Sequence, residues 1–144
     1  MPSDGALDEA TNLTWLLSGL VHRVPHTRSA LLLSSDGLRR AAHGLDADSA
    51  DQLAAIASGL FSLAHSAGHR FGGGDGVRQV VAELDDTLLF VSTAGSSAVL
   101  AVLASRGVDV GVLGYEMSRL VTSVRPYLAT PARQSTSTPD RAGS

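Results

Sequence analysis

The sequence predicts an α+β domain, in the broad α/β class, in which one antiparallel sheet of five strands carries helices on its faces. Apolar residues recur at helical spacing near the start, in the middle and near the end of the chain, and five short apolar segments lie between these regions. Links of hairpin length join the last three segments, and such links permit only antiparallel strands. The predicted order is helix, strand, strand, helix, strand, strand, strand, helix, which a single sheet accommodates most economically.

The first helix is predicted to follow Thr11 or Asn12, because either side chain can cap a helix N-terminus. Pro25 ends it, since the residue before a proline disfavours the helical conformation. Between these limits the apolar residues recur at helical spacing: Leu13, Leu16, Leu17, Leu20, Val21 and Val24. Residues 1–10 are predicted to form a polar leader outside the domain, which then covers residues 11–128.

A hairpin follows the first helix. Residues 28–34 contain the continuous apolar run Ala30-Leu31-Leu32-Leu33, which predicts a strand. Asp36-Gly37 is a strong signal for a tight turn between antiparallel strands. Residues 38–43 are therefore predicted to form the second strand, although their intrinsic strand propensity is weak.

The central helix is predicted around residues 52–69, a stretch without Asp, Glu, Lys or Arg, and Asp46, Asp48 or Ser49 can cap it. One half of this helix is apolar, includes Ile56 and Leu63, and is predicted to be buried against the sheet or another helix of its own domain. The other half holds small or uncharged residues: Ala55, Ser58, Gly59, Ser62, Ser66, His65 and His69. A solvated face normally carries charges, so we expect a partner chain to cover this half. The alternative is an Ala/Ser-rich face exposed to water.

The second half of the domain is predicted to hold three strands and a helix. Gly72 to Gly76 break the chain, and the strands follow at residues 77–84, 87–93 and 98–104. Asp109 caps the last helix, and Pro126 is predicted to stop it. Residues 129–144, rich in Pro, Ser, Thr, Ala and Gly, are predicted to form a disordered tail.

The composition excludes several classes of function. The chain has 144 residues, a net charge of −3 and a pI near 5.9, so it carries no basic field for nucleic acid or anionic membranes. It contains no Cys, which excludes disulfides, thiolate metal sites and thiol catalysis. The central helix is too polar to insert into a membrane. Because residues 1–10 lack the apolar core of a signal peptide, we expect a cytoplasmic protein.

No motif predicts catalysis, a cofactor or a metal. His65 and His69 have the spacing of two metal ligands, but Ser66-Ala67-Gly68 between them offers no glutamate base and no further ligands cluster nearby. The Gly72–Gly76 run precedes a strand rather than a helix, and the chain has no Lys, so a phosphate-binding loop is not expected. No serine lies in a Gly-x-Ser-x-Gly elbow. We therefore predict a protein that is not an enzyme.

The element order, the uncharged central helix, the Gly-rich link and the hairpin Leu31-Leu32-Leu33-Ser34-Ser35-Asp36-Gly37-Leu38 resemble the Roadblock/LC7 domain, a profilin-like architecture. The resemblance is strongest to bacterial members encoded beside a Ras-like small GTPase and a sensor-kinase-like protein. It implies a homodimer in which the central helices pair and the third strands join two sheets edge to edge, which removes an exposed edge. The interface residues would be Ala55, Ser58, Gly59, Ser62, Ser66, Val77, Gln79 and Val81.

Two hypotheses of function follow from this resemblance. In the first, the dimer binds a small Ras-like GTPase through its paired helices and stimulates GTP hydrolysis or acts as a scaffold. The residues predicted to contact the partner are His65, His69, Arg70 and Arg78, and either arginine could be supplied to the GTPase. In the second, the protein is a structural adaptor that links a sensor-kinase-like membrane protein to other regulators without affecting nucleotide turnover. If His65 and His69 lie at the dimer contact, their protonation would weaken association.

Overall fold

The computed structural model of the chain describes residues 3–74, 76–95 and 97–128. The predicted tail, residues 129–144, lies outside the described residues. The elements are α1 (Ser3–Arg23), β1 (Thr27–Ser34), β2 (Arg39–His43), α2 (Ala47–Phe71), β3 (Gln79–Glu83), β4 (Thr87–Thr93), β5 (Ala98–Ser105) and α3 (Val110–Leu128). This order confirms the predicted one.

The five strands form one antiparallel sheet with the order β2-β1-β5-β4-β3. The first and last strands in the chain, β1 and β5, therefore pair at the centre, and β2 and β3 are the two edges. The predicted sheet is confirmed, and among the residues that the structure describes β3 has a sheet neighbour on one side only.

Helices cover both faces of the sheet, which explains why residues 30–33 of β1 form a continuous apolar run rather than an alternating pattern. Ala30 and Leu32 point to the face covered by α1 and α3. Leu31 and Leu33 point to the opposite face, where they pack with the buried side of α2. The two cores that result share the sheet as a common layer, and of the three described helices only α2 packs on this second face.

Two helix boundaries differ from the prediction. The first helix begins at Ser3, within the predicted leader, rather than after Thr11 or Asn12. Within this stretch, the side chain of Glu9 pairs with Arg40 of β2 at 3.4 Å. The last helix continues through Pro126 to Leu128, because Tyr127 and Leu128 pack against the core and a proline in the last turn removes only one helical hydrogen bond.

The central helix crosses the sheet with its first half firmly packed. Asp46 caps it by accepting a hydrogen bond from the Ser49 backbone N–H at 2.8 Å. Its buried residues are Ala50, Leu53, Ala54 and Ala57. Among the helices that the structure describes, none combines the length and the apolar character that a membrane span requires.

Candidate partner interface

The outward side of α2 carries two large apolar side chains. Ile56 is 55% exposed and Leu63 is 71% exposed, whereas the sequence analysis placed both on the buried half. That prediction was wrong, because the face against the sheet is narrower than the apolar arc and is filled by small alanines together with Leu53. The helix therefore presents apolar side chains to the outside of the fold.

These side chains belong to a regular stripe. Exposed residues follow one another at spacings of four, three, four, three and four along α2: Gln52, Ile56, Gly59, Leu63, Ser66 and Arg70. This is the heptad spacing by which two helices pack side by side. Gly59 lies in the middle, and a Cβ placed there would meet nothing within 4 Å. We call these six residues the α2 stripe.

The small residues of α2 that were predicted at the interface differ in exposure. Ala55, Gly59, Ser62 and Ser66 are exposed on or beside the α2 stripe. Ser58 is half-buried instead, and its hydroxyl donates a hydrogen bond to the carbonyl oxygen of Ser35 at 3.2 Å. Ser58 is therefore engaged with the hairpin of its own chain.

The third strand supplies the second predicted contact. Gln79 and Val81 lie in β3 and are exposed, Val81 to 51%. Val77 precedes the strand, because β3 begins at Gln79 rather than at the predicted residue 77. With β4 on one side, the other side of the β3 backbone has no sheet partner among the described residues. This edge is available for pairing with another strand.

Three of the four predicted partner-binding residues lie together. His65, His69 and Arg70 line one shallow depression with Ser66 at the C-terminal end of α2. The Arg70 guanidinium lies 5.9 Å from the centre of the Phe71 ring, which is 83% exposed. Arg78 lies apart from them and lines a groove between β3 and α3.

The chemistry of the α2 surface suits binding rather than reaction. In the described ranges, no group of three or more His, Cys, Asp or Glu side chains is placed to hold a metal ion. The outward face of α2 offers aliphatic groups, hydroxyls and, at one end, imidazoles and a guanidinium. Such a mixture makes van der Waals and hydrogen-bond contacts with a partner surface.

Ile56 and Leu63 were not among the interface residues predicted from the sequence. Their spacing contained the signal, because Ile56, Gly59, Leu63 and Ser66 follow the three-four-three part of the heptad pattern. Ile56 and Leu63 lie in the same apolar half of the helix as the buried alanines. The narrower stripe is therefore not recognised when that whole half is assigned to one face. The burial of Ala54 and Ala57 against the sheet is what separates the two faces.

Comparison with known proteins gives consistent matches. A family model for the Roadblock/LC7 domain matches residues 13–104. The chain is 70% identical to a Roadblock/LC7 domain of known crystal structure from Streptomyces avermitilis, with a TM-score of 0.80, over 81% of this chain and 98% of that chain. Another Roadblock/LC7 domain from Streptomyces avermitilis is 39% identical, with a TM-score of 0.63, over 77% of this chain and 96% of that chain.

More distant matches concern the fold alone. The gliding protein MglB from Thermus thermophilus is 17% identical, with a TM-score of 0.74, over 83% of this chain and 90% of that chain. No curated protein matches the chain. The five-stranded sheet with its flanking helices is thus an architecture found in other solved structures.

Proposed function

Because this chain belongs to the Roadblock/LC7 family, we propose that it is a non-catalytic, cytoplasmic homodimer that regulates a small Ras-like GTPase by binding it. The observation that carries this proposal is the α2 stripe, which leaves Ile56 and Leu63 outside the fold of their own chain. A second copy is a suitable cover, since a two-fold axis brings the same stripe from both copies together.

The energy of such pairing is adequate for a stable contact. Complete burial of one Ile or Leu side chain contributes about 1.5–3 kcal/mol, and each copy supplies one of each. Gly59 and the neighbouring hydroxyl residues allow the two helix backbones to approach closely. Antiparallel pairing of the β3 edges would add backbone hydrogen bonds and leave no exposed β3 edge.

The dimer is tested by placing a charge in the stripe. We expect Leu63→Glu to convert the protein to a monomer in sedimentation velocity, because each copy would then bury an unpaired carboxylate in an apolar contact. The matched control is Val110→Glu, since Val110 is 55% exposed at the start of α3, away from the stripe. A Leu63→Glu protein that remains dimeric at the same concentrations would exclude α2 as the contact.

The GTPase surface is proposed to be the C-terminal part of α2. Phe71 is a large exposed side chain against the Arg70 guanidinium, and Arg70 lines one depression with His65 and His69. Buried aromatic and arginine side chains dominate the energy of many protein contacts. An arginine supplied from this surface would stabilise the charge of the phosphoryl-transfer transition state.

The test uses the small GTPase encoded nearest to this gene, loaded with GDP or with GTP. Co-elution and phosphate release are followed together for the wild type and for Phe71→Ala, with Arg119→Ala on α3 as the control. Binding of the GTP form with faster release supports a GTPase activator, and binding without faster release supports a scaffold. Absence of binding in both states would favour the adaptor for a sensor-kinase-like protein.

The supplied arginine has its own test. Arg70→Ala and Arg78→Ala are each assayed for stimulated hydrolysis at saturating protein, so that weaker binding does not mask the effect. If this chain provides the arginine, one of the two variants loses most of the stimulation while still binding the GTPase. If both retain it, the GTPase uses only its own catalytic residues.

A further inference from the structure

A groove runs between β3 and α3 on the sheet face opposite α2. Its volume is about 440 Å³. Met117 and Val121 of α3 form an apolar floor, and Gln79 of β3 lies on the other wall. Gly114 widens it, because a Cβ at this position would meet nothing within 4 Å. The groove is open along its length and is separate from the α2 stripe.

Two arginines that line this groove differ in their contacts from the other arginines of the described residues. Four of them pair with carboxylates: Arg23, Arg39, Arg40 and Arg106. Arg28 donates to the hydroxyl of Thr87. Arg70 and Arg119 lie over the rings of Phe71 and Tyr115. Within residues 3–74, 76–95 and 97–128, only Arg78 and Arg125 take part in none of these contacts, and both line the groove.

The remaining lining strengthens the positive character of the groove. No Asp or Glu is among the lining residues within the described ranges. Ser92 and Ser118 contribute hydroxyls that can donate hydrogen bonds. Glu83, at the other end of the strand that Gln79 begins, does not line the groove and pairs with Arg106 at 2.7 Å. Among the described residues, two guanidinium groups and two serine hydroxyls therefore surround an apolar floor, and no carboxylate belongs to the lining.

We infer that this groove binds an acidic peptide segment of a partner protein. Guanidinium groups form charge-assisted hydrogen bonds with carboxylates, and one arginine stands on each wall, so that carboxylates at two points of a segment are engaged. The apolar floor and the open space at Gly114 suit an extended chain better than a single small anion. This inference does not rest on the proposed GTPase function, because the test uses this chain alone and, of the residues proposed to contact the GTPase, only Arg78 lines the groove.

Isothermal titration calorimetry tests the inference with the full chain. The probe is an acetylated and amidated peptide of alternating glutamate and serine, and the charge-reversed peptide of lysine and serine is the control probe. We expect only the acidic peptide to bind, with an affinity that falls as salt is raised. Arg78→Ala and Arg125→Ala should each weaken binding about three- to tenfold, whereas Arg119→Ala, on the same helix but outside the groove, should not.

Several results would overturn the inference. One is unchanged affinity in the Arg78→Ala and Arg125→Ala proteins, each verified as folded by circular dichroism. Another is displacement of the peptide by an equal concentration of inorganic phosphate, which would indicate a simple anion site. A third is equally tight binding of a synthetic peptide of residues 129–144, which would make the occupant this chain's own C-terminal segment.

Discussion

The hydroxyl of Ser58 donates a hydrogen bond to the backbone carbonyl oxygen of Ser35 at 3.2 Å, and this bond joins α2 to the β1–β2 turn. The turn fits closely there, because a Cβ at Gly37 would lie 3.5 Å from the Cβ of Ser58. Gly37 itself has a φ of 93°, which a residue with a side chain rarely adopts. The small residues of α2 therefore differ in their roles. Ser58 bonds to the hairpin of its own chain, whereas Gly59 is exposed on the outward face.

The first prediction concerns this bond. Ser58→Ala should lower the free energy of unfolding by about 0.5–1.5 kcal/mol, the usual net contribution of one hydrogen bond. Ser62→Ala is the control, since Ser62 is exposed one turn further along the helix, and we expect a change within about 0.5 kcal/mol. Urea unfolding measures both. Equal effects of the two substitutions would show that the bond does not contribute to stability.

The second prediction separates stability from dimerisation. Gly59→Ala and Gly114→Ala both place a methyl group in open space on a helix, so each should stabilise the folded chain by about 0.8–1 kcal/mol through helix propensity. Only Gly59 lies in the α2 stripe. Gly59→Ala should therefore also raise the dimer dissociation constant, whereas Gly114→Ala should leave it unchanged. Calorimetric unfolding and analytical ultracentrifugation give the two quantities, and matching dissociation constants would contradict helix pairing at Gly59.

The third prediction concerns acid stability. Hydrogen bonds from the side chain and then the backbone N–H of Ser49 lower the pKa of Asp46 below its ordinary value of 3.8. The folded state therefore holds the Asp46 proton less tightly than the unfolded state. The stabilisation from this carboxylate is complete above the ordinary Asp pKa and is lost as pH falls through the lower pKa of the folded state.

Asp46→Asn is the variant that checks this relationship, because asparagine caps a helix without titrating in this range. We expect the difference in urea midpoint between wild type and Asp46→Asn to be constant from neutral pH to about pH 5 and to shift against the wild type in more acidic solution. A difference that stays constant down to the most acidic pH would contradict the role of the carboxylate. Asp46→Ala should be less stable than both at neutral pH.

The fourth prediction concerns the contact between the two helices on the other face of the sheet. The Nε of Arg23 in α1 donates to an Oε of Glu116 in α3 at 2.9 Å. A double-mutant cycle with Arg23→Ala and Glu116→Ala should give a coupling free energy of about 0.5–1 kcal/mol that decreases with salt. The matched pair is Arg39 and Asp51, which is more exposed at the aspartate and should couple more weakly. A coupling free energy of zero would show that packing alone joins these helices.

Much of the fold could be predicted from local patterns in the sequence. The continuous apolar run of β1 and the Asp36-Gly37 turn predicted the first hairpin, and the close spacing of the later strands predicted an antiparallel sheet. The start of α1 could not be predicted from the sequence pattern. Residues 3–10 show no apolar periodicity, and this periodicity is the signal by which a helix is recognised. The passage of α3 through Pro126 depends on tertiary packing of Tyr127 and Leu128, which no local rule contains.

The sequence by itself determined the element order, the antiparallel sheet and the absence of charge from residues 52–69 of α2, because these depend on composition, periodicity and turn residues close together in the chain. The tertiary structure decided which side of α2 faces outward. Helical periodicity identifies an apolar arc but not the width of the face that contacts the sheet. That face is filled by three alanines and Leu53, which leaves Ile56 and Leu63 outside. It also brought Arg78 and Arg125 to one groove, since pairing of β3 with β4 sets the distance of that strand from α3.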